Sequence, residues 1–108
     1  APLNQYTEGI MDLKAFRKMK SSAILLNLGR GPIVREADLA QALNEGEIQA
    51  AGLDVLSSEP MAADSPFLSV KDKSRLLITP HVAWAAVEAR QRLMKIIAGQ
   101  IRDFFHIF

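Results

Sequence analysis

The feature that most constrains this chain is an apolar run ending in a glycine-bracketed arginine, with a second apolar run one helix further on. Ile24-Leu25-Leu26-Asn27-Leu28 leads into Gly29-Arg30-Gly31-Pro32-Ile33-Val34. A helical pattern starts at about Glu36, carries Leu39, Ala40 and Leu43 on one face and stops at Gly46, a residue suited to a left-handed terminator. Ala50-Ala51-Gly52-Leu53-Asp54-Val55-Leu56 follows, with small residues suited to packing against a neighbouring helix. Strand, helix and strand at this spacing predict a right-handed parallel unit. The first run reads as a buried strand that delivers a guanidinium to the carboxyl edge of a sheet, where open α/β sheets bind ligands. Its two glycines let backbone and ligand approach closely. Taken alone, Arg30 is as well suited to pairing with a surface carboxylate as to gripping an anion, and both readings stand at this point.

The rest of the chain fits around that unit. Asp12 is a candidate cap for a helix over about 12–20, and Ser21-Ser22 separate it from the strand. Residues 57–75, polar and broken by Pro60 and Pro66, read as a long irregular loop, a length that in a compact domain tends to be functional. Arg75-Leu76-Leu77-Ile78-Thr79 is a third strand ended by Pro80, which leaves His81 just beyond its tip. From about Ala85 to Phe105 the spacing is helical, with Val87, Leu93, Met94, Ile97, Ile101, Phe104 and Phe105 on one stripe. That stripe exceeds what three strands can cover, so association with another copy through this helix is expected. The opening Ala1-Pro2-Leu3-Asn4-Gln5 is turn-like and lacks a starting methionine, so the chain is expected to be a piece of something longer.

Composition excludes several classes of function. With 108 residues, 49% apolar and 23% charged, this is one small globular domain at most. The net charge of +1 calls for no polyanionic partner. Lys14, Arg17, Lys18 and Lys20 cluster at helical spacing around Leu13, Phe16 and Met19, which makes them the wet face of a helix rather than a nucleic-acid stripe. The absence of cysteine excludes disulfides and fits a reducing, cytoplasmic setting. With two histidines and no thiol, no metal site is expected. No signal peptide and no run of about 18 apolar residues appears, so no membrane association is expected.

Three titratable residues, Arg30, Glu59 and His81, each fall just after a predicted parallel strand, and their chemistries are complementary. Arginine captures carboxylates through two prongs. Histidine changes charge near neutral pH, which suits proton exchange at a hydroxyl or carbonyl. A carboxylate beside it holds the ring and favours its charged form. Together they fit reactions on a small acid bearing an adjacent alcohol or ketone. Singly, Glu59 reads equally well as a plain loop residue and His81 as a satisfied core histidine.

The segments around these residues carry a resemblance. Asn27-Leu28-Gly29-Arg30-Gly31-Pro32-Ile33-Val34, then Ala51-Gly52-Leu53-Asp54-Val55-Leu56-Ser57-Ser58-Glu59-Pro60, then Thr79-Pro80-His81-Val82-Ala83-Trp84 resemble three signatures of the NAD-dependent D-isomer-specific 2-hydroxyacid dehydrogenases. Ala1-Pro2-Leu3-Asn4 and Thr7 resemble the proline turn after the fourth strand of that family's cofactor domain. His81 with Ala83-Trp84, followed by Glu88-Ala89-Arg90, is most similar to the glycerate dehydrogenase or hydroxypyruvate reductase branch. Phosphoglycerate dehydrogenases, an alternative, usually show a Gly-Ala-Ser run after that histidine. A non-enzymatic, dinucleotide-sensing corepressor on the same fold is another.

The resemblance implies an α/β fold. Residues 1–84 would form the distal half of a Rossmann-like dinucleotide-binding domain, with parallel strands and crossover helices. Residues 85–108 would supply a long C-terminal helix that packs on the substrate domain. It implies that Arg30 binds the substrate carboxylate, that His81 exchanges the proton of the C2 oxygen and that Glu59 tunes His81, while hydride passes between C2 and the nicotinamide. Asp54 would meet the carboxamide, and Ala1, Thr7, Leu28, Gly29, Arg30, His81 and Ala83 would line the cofactor cleft. The implied cofactor is NAD, with NADP open; the implied partner is a small 2-hydroxy or 2-keto acid such as glycerate or hydroxypyruvate, and the implied assembly a homodimer. Departures accompany the matches. No G-x-G-x-x-G fingerprint occurs, since Gly29-x-Gly31 is followed by Val34, so this stretch alone is expected to be inactive. Arg35 stands where the family usually has a helix-capping aspartate, which weakens the helix start.

Overall fold

A computed structural model describes residues 1–83 and 87–105. At its centre is a parallel sheet of β1 (Ile24–Asn27), β2 (Ala50–Leu53) and β3 (Leu76–Ile78), in that order across the sheet. Leu26 aligns with Gly52 and Leu77, and Asn27 with Leu53 and Ile78. Helix α1 (Leu13–Lys18) precedes β1, α2 (Glu36–Glu45) makes the β1–β2 crossover, and α3 (Val87–Phe105) follows β3. The strand–helix–strand order and the parallel pairing are those the sequence spacing predicts.

Local chemistry sets the ends of these elements. Asp12 caps α1 by accepting the Ala15 N–H at 2.9 Å, and the helix stops at Lys18, short of the expected end near residue 20, because Met19 is already extended. Gly46 ends α2 at φ 73°, where a side chain would be strained, and its N–H turns back to the Ala42 and Leu43 carbonyls. At the other end Arg35 makes no side-chain cap. The first turn carries Glu36 and Asp38 instead, acidic groups that suit a helix start, and Asp38 also accepts the Leu13 N–H at 3.0 Å, tying α1 to α2. Leu39, Ala40 and Leu43 are buried with Phe16, Ile48 and Leu53 in the core on one face of the sheet.

Four expectations need correction. The β1 strand is not buried: Leu25 packs on the core, but Ile24 and Leu26 are 58% and 69% exposed, and Leu77, in register with Leu26, is 66% exposed. The described helices α1 and α2 cover one face of the sheet, so the Ile/Leu run marks a strand that is apolar on both faces rather than one covered on both. Gly52 serves the neighbouring strand and not a helix, since a Cβ there would lie 2.9 Å from Leu26 Cδ2. The 57–75 segment is less irregular than its prolines suggest: 3₁₀ turns form at Pro66–Ser69 and Lys73–Arg75, capped by Ser65 and Asp72, and Phe67 and Val70 are buried in the core. Asn44 of α2 clamps this segment through Ser69 O and Lys71 N. Finally, the strands are shorter than read, with Asp54 and Val55 buried in the turn after β2. The stripe of α3 is exposed at Leu93, Met94, Ile97 and Ile101; residues 84–86, and the side chains of Phe104 and Phe105, lie outside the described part.

Leu39 is fully buried beneath α2, so Leu39→Ala is expected to lower stability by about 2–5 kcal/mol through lost burial and a residual cavity. Urea denaturation measures this, and a loss under about 1 kcal/mol would contradict the packing described.

Candidate functional site

The site is built where the three parallel strands end. The ladder continues one residue past the strands, with Asp54 N donating to Asn27 O at 3.0 Å and Thr79 N to Leu53 O at 2.9 Å, so the segments leaving β1, β2 and β3 start side by side. Each carries one of the three residues singled out from the sequence. Arg30, Glu59 and His81 line a single cleft of about 550 Å³, with Pro2, Leu3 and Val55 among its walls.

Arg30 is presented by a turn that Asn27 closes. Asn27 Oδ1 accepts the Gly29 N–H at 3.1 Å, and its Nδ2 donates to Arg30 O at 3.0 Å. Among the described residues the Arg30 guanidinium has no ion-pair or hydrogen-bond partner, which disposes of the surface-pair reading. The glycines do not play the part expected of them. A Cβ on Gly31 would lie 2.1 Å from the carbonyl carbon and oxygen of Leu56, so this glycine admits another stretch of backbone rather than a ligand. At Gly29 a Cβ would meet only ordinary contacts, with Asn27 Oδ1 and the Ala1 carbonyl.

Glu59 and His81 form a pair, with His81 Nδ1 3.0 Å from Glu59 Oε2. The second carboxylate oxygen, Oε1, accepts the Leu56 N–H at 3.0 Å. That bond, then the one from His81, holds the Glu59 carboxyl below its ordinary value of 4.5. An ionised carboxylate only accepts, so Nδ1 carries the proton shared with Glu59 and Nε2 is the nitrogen left to exchange one. Both side chains are about two-fifths exposed, and a pair so exposed adds little to stability. Its worth lies in fixing the ring.

Asp54 holds the backbone under that ring. It is 3% exposed, and its carboxylate accepts three donors: the Thr79 hydroxyl at 2.6 Å, Val82 N–H at 2.8 Å and Ala83 N–H at 2.9 Å. The Thr79 bond foremost, with the amide bonds, keeps its carboxyl below the ordinary 3.8. His81 between them sits at φ 57°, a left-handed conformation unusual for a non-glycine residue. The remaining residues lie nearby but outside the cleft's lining. Thr7 Oγ1 is engaged in its own turn, donating to Pro2 O at 2.7 Å and accepting the Asn4 N–H at 2.9 Å. Ala1 adjoins Gly29, Leu28 is exposed beyond the end of β1, and Ala83 is bonded to Asp54. Sequence reasoning missed Asn27 and Thr79 as positioning groups; Asn two residues before Gly signals such a turn, whereas nothing local marks Thr79. Among the described residues no group of three His, Cys, Asp or Glu side chains could hold a metal, and no helix is long and apolar enough to cross a membrane.

Comparison with known proteins accords with this arrangement. Residues 1–83 match the family model described as D-isomer specific 2-hydroxyacid dehydrogenase, NAD binding domain. The chain belongs to this family. It is 47% identical over 103 residues to a hydroxypyruvate reductase of Blautia hydrogenotrophica, covering 95% of this chain and 31% of that protein. It is 44% identical over 107 residues to a glycerate dehydrogenase of Methylorubrum extorquens, covering 99% and 32%. Among solved structures, the NAD-complexed D-isomer specific 2-hydroxyacid dehydrogenase of Lactobacillus delbrueckii ssp. bulgaricus superposes with a TM-score of 0.74 at 28% identity, over 94% of this chain and 34% of that one. The chain thus spans about a third of the length of the relatives it matches. The family resemblance and the Rossmann-like α/β fold read from the three motifs are both borne out.

The Asp54 bonds carry a pH consequence. A carboxyl whose folded value lies below 3.8 contributes stability that is complete above 3.8 and is lost as pH falls through that value toward the lowered one. Asp54→Asn is therefore expected to lower stability at neutral pH and to flatten the dependence on pH below about 4. Denaturation midpoints between pH 7 and pH 3 test this; parallel curves for the two proteins would refute the linkage.

Proposed function

We propose that this chain is the catalytic edge of an NAD-dependent oxidoreductase acting on a small D-2-hydroxy acid or its 2-keto acid, glycerate and hydroxypyruvate being the best-supported pair. The observation that carries the reading is the meeting, in one cleft at the carboxyl ends of parallel strands, of an ionised carboxylate with a guanidinium and an imidazole Nε2 that have no partner among the described residues. Each has one task. Arg30 grips the carboxylate by two parallel hydrogen bonds. His81 Nε2 gives its proton to the C2 oxygen during ketone reduction and takes it back during alcohol oxidation. Glu59 orients the ring and stabilises its charged form. The two named relatives, a hydroxypyruvate reductase and a glycerate dehydrogenase, favour the same substrate pair.

The donor set fits the nicotinamide end of the cofactor. Pro2, Leu3 and Val55 offer apolar walls for a ring, and Arg30 and His81 line the same cleft, where an acid would lie against it. When bound, the nicotinamide supplies or accepts the reducing equivalent at C2. Ala1, Thr7, the backbone of Leu28, Gly29 and Arg30, and Ala83 are the groups proposed to border it. The Asp54 carboxylate reaches the carboxamide only through capacity left over from its three internal bonds. We further assign residues 1–84 to the cofactor domain and residues 85–108 to a helix packing on a substrate domain of a homodimeric enzyme, a reading supported by the exposed stripe of Leu93, Ile97 and Ile101.

Two outcomes test the assignment in the intact enzyme. Arg30→Lys keeps the charge and loses the two-pronged geometry, so KM for the 2-keto acid is expected to rise with a loss of about 2 kcal/mol in kcat/KM. Steady-state kinetics with hydroxypyruvate decide it, and unchanged constants would remove Arg30 from the site. Glu59→Gln withdraws the charge that favours protonated His81, so the alkaline fall in ketone reduction is expected at lower pH. A pH–rate profile that stays in place in the folded variant would rule out the coupling.

A further inference from the structure

Leu56 and the amide that follows it lie between the Arg30 turn and the Glu59 carboxylate and are held from three directions. Glu59 Oε1 accepts the Leu56 N–H at 3.0 Å, Glu36 Oε2 accepts the Ser57 N–H at 2.9 Å, and Gly31 packs flat against the Leu56 carbonyl. Resting on the hydroxyacid reading above, we infer that Glu36, in the first turn of α2, is a positioning residue for the His81–Glu59 pair.

The two oxygens of Glu59 link these contacts to the imidazole. One faces His81 and the other takes the Leu56 N–H, so the rotation of the carboxylate, and with it the tilt of the imidazole, depends on where that N–H points. Leu56 is half-buried, but Ser57, Ser58 and Glu59 are exposed, and packing does little to fix the peptide that follows. Glu36 supplies what packing does not. Its carboxylate rides on a helix anchored by buried Leu39, Ala40 and Leu43, so it fixes the Ser57 N–H against a rigid body. Glu8 and Arg35 are the charged groups that line the same groove as Glu36 and Ser57. Gly31 closes the other side against the Leu56 carbonyl, so the peptide after Leu56 is pinned between α2 and the turn that presents Arg30, and Leu56, whose own N–H aims Glu59, is held from its C-terminal side. The crossover helix thereby sets the spacing between the anion-gripping and proton-exchanging groups, although Glu36 touches neither substrate nor cofactor.

The test is made on the intact enzyme. Glu36→Ala is expected to lower kcat for 2-keto acid reduction roughly tenfold or more. KM should change much less, and the alkaline limb of the pH profile should move to lower pH, the direction expected for Glu59→Gln. Glu36→Gln keeps an acceptor oxygen and restores most of the rate. Glu36→Asp, which retains charge at the helix start but withdraws the acceptor, gives the same direction should Glu36→Ala not fold. The double variant Glu36→Ala/Glu59→Gln is expected to be no slower than Glu59→Gln alone, because the two act through one geometry. Multiplying effects, or a folded Glu36→Ala enzyme with unchanged kcat and pH profile, would overturn the inference. Wild-type inactivity on 2-keto acids would sink only the proposed reaction. The positioning is then read from the Nδ1–H proton resonance of His81, assigned by its disappearance in His81→Gln. Its loss or broadening in Glu36→Ala with retention in Glu36→Gln supports the inference, and an unaltered resonance in Glu36→Ala refutes it.

Discussion

The Asp54 carboxylate is the constraint on which the site depends. Burying a charged carboxylate is costly unless its lone pairs are filled, and here a hydroxyl and two backbone amides fill them. Those donors all come from the five residues that follow β3, so satisfying Asp54 also fixes that turn. A left-handed φ at His81 costs about 1–3 kcal/mol and persists only where its surroundings over-determine it. Three charge-assisted bonds on either side of His81 are such surroundings. The imidazole is therefore delivered to the cleft by a backbone it could not hold alone, and Glu59 needs only to set the rotation of the ring.

Three carboxylates near the strand ends thus do different work because their partners differ. Asp54 is buried and turned entirely inward, and its charge organises backbone. Glu59 is exposed and divided, one oxygen on an amide and one on the imidazole. Glu36 stands in the first turn of a helix, which lends it rigidity, and its carboxylate holds a backbone amide of another segment. Acid affects them unequally. Protonating Glu59 removes the partner of His81 directly, whereas protonating Asp54 frees the turn on which His81 stands.

Much of this was legible in the sequence, and the gaps have physical causes. Gly46 and Asp12 revealed helix ends because each satisfies an end by a local rule, a positive φ or an oxygen three residues from an orphan N–H. Arg30, Glu59 and His81 could be grouped because each follows a strand, and parallel strands end on one side. What stayed hidden was non-local. The need for Gly31 lies in the Leu56 carbonyl, and the work of Glu36 lies in the Ser57 amide. Phe67 and Val70 leave no sequence signal because two buried residues in a polar, proline-broken loop give no periodicity, and the exposure of Ile24 and Leu26 is invisible because periodicity cannot say which face of an apolar strand is covered.

The uneven covering of the sheet bears on how the site is supported. The core lies on the face covered by α1 and α2, while Ile24, Leu26 and Leu77 on the opposite face remain exposed, as does the stripe of α3. Each large apolar side chain left wet forgoes roughly 1.5–3 kcal/mol of burial, so the described residues draw their stability from one side only. The cleft depends on neither face. Its walls come from the segments that leave the strands together with Pro2 and Leu3 of the N-terminal turn, and its Glu59 and His81 are fixed by bonds among those segments. Covering the open face would add stability to the sheet, and through it to the strand ends, without altering which groups meet there. Core packing and site geometry consequently rest on largely different residues: Phe16 and Leu39 fill the core, Glu36 and Gly31 hold the strand-end segments, and Asp54 bears on both.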